Sequence, residues 1–241
     1  TDWQRHHPRA RHLPLIQESA ILRAEWRFLQ LTIFIGAWML VSPLMQDRWV
    51  VEALLQFFLL NTMLVTLWAN PTWSGSRGIV FGIWLVSLAG SALALAPLPI
   101  EWHRLGRTME IVTTLPLLAL LAFGILRFIF RNRTLTVDGI FATVTVYLII
   151  AMFFSMLYLL LIEWSPASFN LHLEDLSPQL LQSNLLYFSL VTLATVGYGD
   201  ILPVSETART LAVIEATVGQ FYVAVIVAVF VGMYATQRRD G

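Results

Sequence analysis

The chemistry-bearing residues of this 241-residue chain form one short loop between two apolar segments, which reads Thr195, Val196, Gly197, Tyr198, Gly199 and Asp200. A cation gives up its hydration shell only where protein oxygens replace the water, and rings of backbone carbonyls can do so. Carbonyls that all face one axis need backbone torsions that most side chains resist and glycine accepts. The two glycines therefore predict a carbonyl-lined cation site, and the Thr195 hydroxyl would add one more ring of oxygens at its inner end.

A chance glycine turn is the alternative interpretation of this loop, and it would be preferred for an isolated G-x-G. A run of six such residues between two apolar helices favours the cation site instead. The Tyr198 side chain would then point away from the ion and brace the loop from behind.

The composition is that of a protein that crosses a membrane several times. Hydrophobic residues make up 57% of the chain, charged residues only 12%, and the mean hydropathy is +0.70. The chain has no cysteine, which excludes disulfides and thiolate metal sites. Because no nucleophile–base set, phosphate loop or metal cluster is recognisable, we expect no enzymatic activity, no cofactor and no nucleic-acid partner.

Segments that are long and apolar enough to cross the hydrocarbon as helices need about 20 residues. We predict such spans at residues 28–45, 50–69, 79–98, 109–130, 139–162 and 207–234. Polar turns with proline, glycine or arginine separate them, and Pro97, Pro99 and Gly106 mark the third turn. The sequence therefore predicts an all-α membrane protein with six transmembrane helices.

Arginine positions predict the orientation of these helices. If the N-terminus is cytoplasmic, most of the arginines fall in cytoplasmic segments, where positive charge is enriched. We therefore expect a multi-pass protein of the cell membrane (plasma or inner membrane) with both termini in the cytoplasm and the glycine loop outside. Residues 1–27 would be a cytoplasmic segment with an interfacial helix at 13–27, and residues 235–241 a short cytoplasmic tail.

The segment before the glycine loop is too polar to cross the membrane and too apolar for a plain loop. Ser177 and Pro178 suit a helix start, and residues 180–193 then form a short re-entrant helix that ends at the loop. The negative end of its dipole would favour a cation. Because a non-helical loop at membrane depth must be buried in protein or line water, we expect other protein chains to surround it.

Residues 138–234 resemble the pore domain of the tetrameric potassium channel superfamily, with its outer helix, pore helix, selectivity filter and inner helix. Residues 190–200, which read LVTLATVGYGD, carry the resemblance. The resemblance implies a homotetramer, because four filter loops surround one pathway. It also implies K⁺ as the permeant ion, a filter mouth at Asp200, and a filter that binds K⁺ through Thr195, Val196, Gly197, Tyr198 and Gly199.

Three positions depart from the family pattern. Tyr187 and Phe188 replace the usual pair of tryptophans, so the aromatic cuff around the filter is altered. Val191 stands where some two-helix members carry a glutamate that bonds the filter aspartate, so Asp200 lacks that partner.

The sixth span carries further candidate residues. Gly219 stands where the family has its hinge glycine, and close packing against the outer helix is an equal alternative. In the same register, the side chains expected to face the cavity and inner gate, where valine rings gate by dewetting, are those of Gln220, Val223, Val227 and Val231. Helix packing is the alternative for the valines.

Glu215 is an ionisable residue inside the sixth span, which by itself suggests a function. It would modulate the filter from behind or tune the charge of the cavity. A structural bond to the pore helix is the alternative.

Residues 28–133 are expected to form a four-helix domain that resembles a voltage sensor without its charges. A voltage sensor needs arginines at every third position of its fourth span, and span 109–130 has none in its middle. Because the link at residues 131–137 is short, this domain should pack beside the pore of its own chain.

These features predict a potassium-selective channel that conducts K⁺ passively and responds weakly or not at all to voltage. The alternatives are a non-selective cation channel, a subunit of a potassium uptake transporter, and a membrane sensor or accessory subunit that does not conduct. Tyr198 disfavours the first alternative, and the presence of one filter loop rather than four disfavours the second.

Overall fold

The computed structural model describes residues 27–41, 48–69, 77–96, 99–131, 136–171 and 176–240. These residues fold into seven α-helices and one 3-10 turn: α1 (Arg27–Val41), α2 (Arg48–Ala69), α3 (Arg77–Leu95), α4 (Ile100–Arg131), α5 (Val137–Trp164), the turn (Pro166–Ser168), α6 (Pro178–Leu193) and α7 (Glu206–Asp240). The fold is all-helical, as predicted. The segment at residues 1–26, with most of the predicted interfacial helix, lies outside the described residues.

Within the described ranges, four helical stretches are long and apolar enough to cross a membrane: Gly78–Leu95, Glu101–Arg131, Val137–Trp164 and Glu206–Ala235. They coincide with the predicted third to sixth spans. The apolar stretches of α1 and α2, Phe28–Met39 and Ala53–Met63, are shorter. The helices are those of a membrane protein, and the count of six spans stays a prediction.

The turn between α3 and α4 is shorter than the sequence predicts. α4 begins at Ile100, directly after Pro99, and continues through Gly106. Proline suits the start of a helix because its fixed torsion and missing N–H cost nothing there. Gly106 is therefore a helical residue and not part of the turn.

The reason for Gly106 is close contact between α3 and α4. A Cβ atom on Gly106 would lie 2.6 Å from Ala94 N, and a Cβ atom on Gly90 would lie 2.8 Å from Glu110 N. Small residues at such positions let two helix backbones approach each other within a membrane. The pair of glycines thus fixes how α3 and α4 cross.

Neutral hydrogen bonds join the middle of α2, α3 and α4. Gln56 Nε2 donates to Ser91 Oγ at 2.7 Å and to Ser87 Oγ at 3.2 Å, and Ser87 Oγ pairs with Thr114 Oγ1 at 3.0 Å. All four side chains are buried. A buried polar group without a partner costs free energy, so these bonds favour one fixed arrangement of the three helices.

Two helices of the four-helix domain, α1 and α4, pack on α5 of the same chain. Phe28 N donates to Asp138 Oδ1 at 2.9 Å near the start of α5. Near the end of α5, Arg107 Nη1 and Glu163 Oε1 form an ion pair at 3.0 Å. Contacts at both ends of α5 therefore hold the four-helix domain in place.

Substitution of Gly90 by Ala tests the close crossing of α3 and α4. We expect Gly90→Ala to lower the free energy of unfolding by about 1–3 kcal/mol, because the added Cβ would overlap the backbone of α4. Tryptophan fluorescence during denaturant unfolding in detergent measures this change.

Gly82→Ala, on the same helix, is the matched control. An added Cβ at Gly82 would meet nothing within 4 Å, so the helical preference of alanine should leave the stability equal or higher. Equal destabilisation by both variants would contradict the proposed crossing.

Candidate functional site

α6 begins where the sequence predicts. Pro178 occupies its first turn, and Ser177 Oγ accepts the N–H of Leu180 at 3.3 Å. The serine satisfies a backbone donor that the first turn of a helix leaves unpaired. The start of α6 is thus fixed by local chemistry.

The glycine loop (residues 195–200) follows directly from the last turn of α6. After Leu193, Thr195 N donates to Thr192 O at 2.9 Å and Val196 N donates to Val191 O at 2.9 Å. These bonds occupy carbonyls that the end of a helix leaves unpaired. They also fix the first two residues of the glycine loop against α6.

Backbone torsions in the glycine loop alternate along the chain. The angle φ is +56° at Thr195, +60° at Gly197 and +79° at Gly199, and no other described residue has a positive φ. Successive carbonyls of an extended chain point to opposite sides, and reversing φ at every second residue can bring them to the same side. The loop therefore has the torsional pattern that a row of carbonyls facing one axis requires.

Thr195 was not predicted to have a positive φ. A left-handed backbone costs a residue with a side chain about 1–2 kcal/mol. Gln220 of α7 donates from Nε2 to Thr195 Oγ1 at 3.1 Å. Thr195 is therefore held by α7 through its side chain as well as by α6 through its backbone. Gln220 was expected to face the cavity, and the structure places it against the inner end of the glycine loop.

At the outer end of the loop, Asp200 has a partner that the sequence analysis missed. Tyr187 Oη donates to Asp200 Oδ2 at 2.8 Å, and Ile201 N donates to Asp200 Oδ1 at 3.0 Å. The rings of Tyr187 and Tyr198 are stacked, with centroids 6.5 Å apart. The glutamate of some family members is absent at Val191, and the hydroxyl of Tyr187 takes its place.

This hydrogen bond also affects the charge at the outer end of the loop. The hydrogen bond from Tyr187 lowers the pKa of Asp200 below its ordinary value, because it stabilises the carboxylate. Asp200 therefore stays ionised to a lower pH than an unpartnered aspartate.

Asn170 fixes the chain that leaves the glycine loop. Its Oδ1 accepts the N–H of Leu202 at 2.6 Å, and its Nδ2 donates to Asp200 O at 3.3 Å. Next to it, Phe169 and Pro203 form an isolated antiparallel bridge. The segment after α5 thus binds both a backbone carbonyl and a backbone N–H of the residues that leave the loop.

Gly219 of α7 packs closely against the end of α6, a contact that the sequence analysis did not predict. A Cβ atom on Gly219 would overlap the backbone carbonyl oxygen of Leu193, the last residue of α6. Only glycine permits this approach. Because α7 runs unbroken through Gly219, the role as a hinge stays a prediction.

Glu215 lies one turn before Gly219 and is completely buried. Tyr158 Oη of α5 donates to Glu215 Oε2 at 2.5 Å, and the Ser189 hydroxyl of α6 meets Glu215 Oε1. The bond to α6 agrees with the structural alternative for this residue. The carboxyl group joins three helices at a point one turn before the end of α6.

The remaining candidates lie along the part of α7 that its own chain leaves uncovered. Val223, Val227 and Val231 are all exposed, and few residues of the apolar stretch Glu206–Ala235 are buried within the chain. The Tyr198 side chain in the glycine loop is 72% exposed.

Comparison with known families identifies this part of the chain. Residues 117–236, just under half of the chain, match the family model described as "Ion channel". This region is similar to an ion-channel domain, and residues 117–236 are called the channel domain below. It runs from the middle of α4 almost to the end of α7 and contains the glycine loop and every contact described above for it. No curated protein and no solved structure matched the chain.

The contacts that sequence analysis missed in the channel domain join residues far apart in the chain. Asn170, Tyr158 and Ser189 are ordinary polar residues in apolar or loop segments, without a spacing that marks them. Tyr187 carried a signal, because a hydroxyl-bearing residue replaces a tryptophan there. A channel domain moves ions without covalent chemistry, so this finding also points to a protein that is not an enzyme.

Tyr187→Phe tests the hydrogen bond at the outer end of the channel domain. The pKa of Asp200 lies below its ordinary value, so the ionised carboxylate stabilises the fold at pH values above that ordinary pKa. This stabilisation is lost as the pH falls through the lowered pKa. Without the Tyr187 hydroxyl we expect the pKa of Asp200 to rise towards the ordinary value. A carboxyl-carbon NMR titration of the labelled protein measures this shift.

Tyr234→Phe serves as the control, because Tyr234 lies exposed near the far end of α7. An unchanged Asp200 titration in Tyr187→Phe would contradict the assignment of Tyr187 as its partner.

Proposed function

We propose that the protein is a potassium-selective channel that conducts K⁺ passively through a homotetrameric pore. The alternating positive φ angles at Thr195, Gly197 and Gly199 carry the proposal. α5 is the outer helix, α6 the pore helix, the glycine loop the selectivity filter and α7 the inner helix. The similarity to an ion-channel domain supports this assignment of the four parts.

Potassium selectivity follows from the chemistry of the filter sequence. Rings of backbone carbonyls replace the hydration shell of K⁺, and carbonyl and hydroxyl oxygens at four successive positions supply them: Thr195, Val196, Gly197 and Tyr198. Selectivity also depends on the side-chain contacts that hold the loop in place, because a loop that moved freely would coordinate ions of different sizes. A non-selective cation channel is the alternative if these contacts do not hold the carbonyls in place.

A homotetramer explains the surfaces that one chain leaves open. Tyr198 of the filter is 72% exposed and Phe221 of the inner helix is 67% exposed. Non-helical backbone at membrane depth needs protein or water around it, and one loop provides only one side of a pore. Fourfold repetition of this chain supplies the other three sides.

The orientation and gating remain part of this proposal. The arginine distribution supports cytoplasmic termini and an outward filter mouth in the cell membrane. Gly219, Val223, Val227 and Val231 would form the hinge and the gate on the inner side. Conduction distinguishes this function from that of a sensor or accessory subunit that uses only the first four helices.

Potassium flux into proteoliposomes tests the proposal. We expect purified wild-type protein to carry K⁺ in preference to Na⁺, and Gly199→Ala to lower K⁺ flux or selectivity by at least about tenfold, because φ of +79° costs alanine about 1–2 kcal/mol in each of four copies. No atom of the same chain lies within 4 Å of a Cβ added at Gly199, so within the chain the variant strains the torsion without steric overlap.

Gly232→Ala on the inner helix is the matched control, since its added Cβ also meets nothing within 4 Å and its φ is not positive. Absence of flux in wild-type protein, or full flux in Gly199→Ala, would refute the proposed filter.

The voltage dependence tests the role of the first four helices. Arg107 is paired with Glu163 of α5, and neutral hydrogen bonds join α2, α3 and α4. We expect the gating charge that moves across the membrane when the channel opens to be at most about one elementary charge per channel. Voltage sensors move 3–4 charges per subunit. A conductance–voltage curve as steep as that of a voltage sensor would contradict this prediction.

A further inference from the structure

Two contacts, one helical turn apart, join the pore helix to the inner helix. Leu193, at the end of the pore helix, meets Gly219, and Ser189 meets Glu215. Ser189 and Leu193 are four residues apart on the pore helix, and Glu215 and Gly219 are four residues apart on the inner helix. The two contacting residues of each helix therefore lie on the same face of that helix. The contact at Leu193 comes two residues before the filter begins, and the contact at Ser189 lies one helical turn earlier on the pore helix.

The number of hydrogen-bond donors and acceptors around Glu215 indicates whether its carboxyl group is protonated. The Ser189 hydroxyl has one proton, and it lies within hydrogen-bond distance of two acceptors, Ala151 O at 2.7 Å and Glu215 Oε1. A backbone carbonyl can only accept. If Ser189 donates to Ala151 O, the contact with Glu215 needs a proton from the carboxyl group. The Tyr158 hydroxyl uses its own proton on the other carboxyl oxygen.

In the part of the chain that the structure describes, the neighbours of Glu215 are phenols and a hydroxyl, and no basic side chain forms an ion pair with it. Among the described residues, the titratable groups that face it are the phenols of Tyr158 and Tyr147, both on the outer helix. Ser189 is the group that faces it from the pore helix. A buried carboxylate without a cation is costly within a membrane, whereas the neutral acid satisfies every contact.

We propose that Glu215 is a neutral carboxylic acid that positions the selectivity filter by joining the outer, pore and inner helices. The protonated carboxyl oxygen of Glu215 donates a hydrogen bond to Ser189 Oγ, and the Ser189 hydroxyl donates to Ala151 O. The second carboxyl oxygen accepts a hydrogen bond from the Tyr158 hydroxyl. The pore helix is then held at two points, and the filter starts from a fixed end. The positioning role rests on the proposed function, and the protonation does not.

Infrared difference spectroscopy tests the protonation in the wild-type protein reconstituted in lipid at neutral pH. Wild type minus Glu215→Gln should contain the carbonyl stretch of a protonated carboxylic acid, shifted in heavy water. Glu206→Gln is the matched control, because Glu206 lies exposed at the start of the same helix. Its difference spectrum should contain the bands of an ionised carboxylate. Carboxylate bands at Glu215 would overturn the proposal.

The permeability ratio of K⁺ to Na⁺ tests the positioning role. We expect Glu215→Gln to keep the ratio within about twofold, because the amide can both donate to Ser189 and accept from Tyr158. Glu215→Leu, which removes both bonds, should lower the ratio by about tenfold. Loss of selectivity in Glu215→Gln, or an unchanged ratio in Glu215→Leu, would overturn the positioning role.

The two measurements fail separately. If Glu215→Leu does not assemble, the glutamine variant and the infrared spectra decide the question. A wild-type protein without potassium selectivity would refute the proposed function, and the infrared spectra would still show whether Glu215 carries the proton.

Discussion

The contact between Gly219 of α7 and the carbonyl of Leu193 determines how the rest of the channel domain is arranged. It brings the end of α6 against α7 more closely than any other residue type would permit. The glycine loop starts two residues later, so its position depends on that contact. Gln220, the next residue on α7, then reaches the Thr195 hydroxyl. One backbone approach therefore places both the start of the loop and the side chain that holds it.

The loop is held at its outer end by different chemistry. Tyr187 bonds the Asp200 carboxylate, and Asn170 bonds the backbone on both sides of Ile201. These contacts offset the cost of the left-handed torsion at Thr195 and of the ordered glycines. Rigidity at both ends is what a carbonyl-lined site needs, since selectivity depends on where its oxygens stand. The four-helix domain, with its neutral hydrogen bonds and its contacts on α5, adds a fixed flank to this arrangement.

The sequence predicted the parts whose chemistry is local. Ser177 and Pro178 start α6, Gly197 and Gly199 have positive φ, and the apolar segments of the third to sixth spans are helical. Contacts between distant residues could not be predicted, because they depend on how the helices pack. Gly106 shows this limit, since a glycine after prolines suggests a turn and only the position of α3 reveals that the glycine serves a helix crossing.

The reversal potential in planar bilayers, with K⁺ on one side and Na⁺ on the other, tests the central claim most directly. The purified wild-type protein is sufficient for this measurement, and no variant is needed. A filter held as described predicts a reversal close to the equilibrium potential of K⁺. A reversal near zero would contradict the claim, because it would mean that the glycine loop conducts both ions alike.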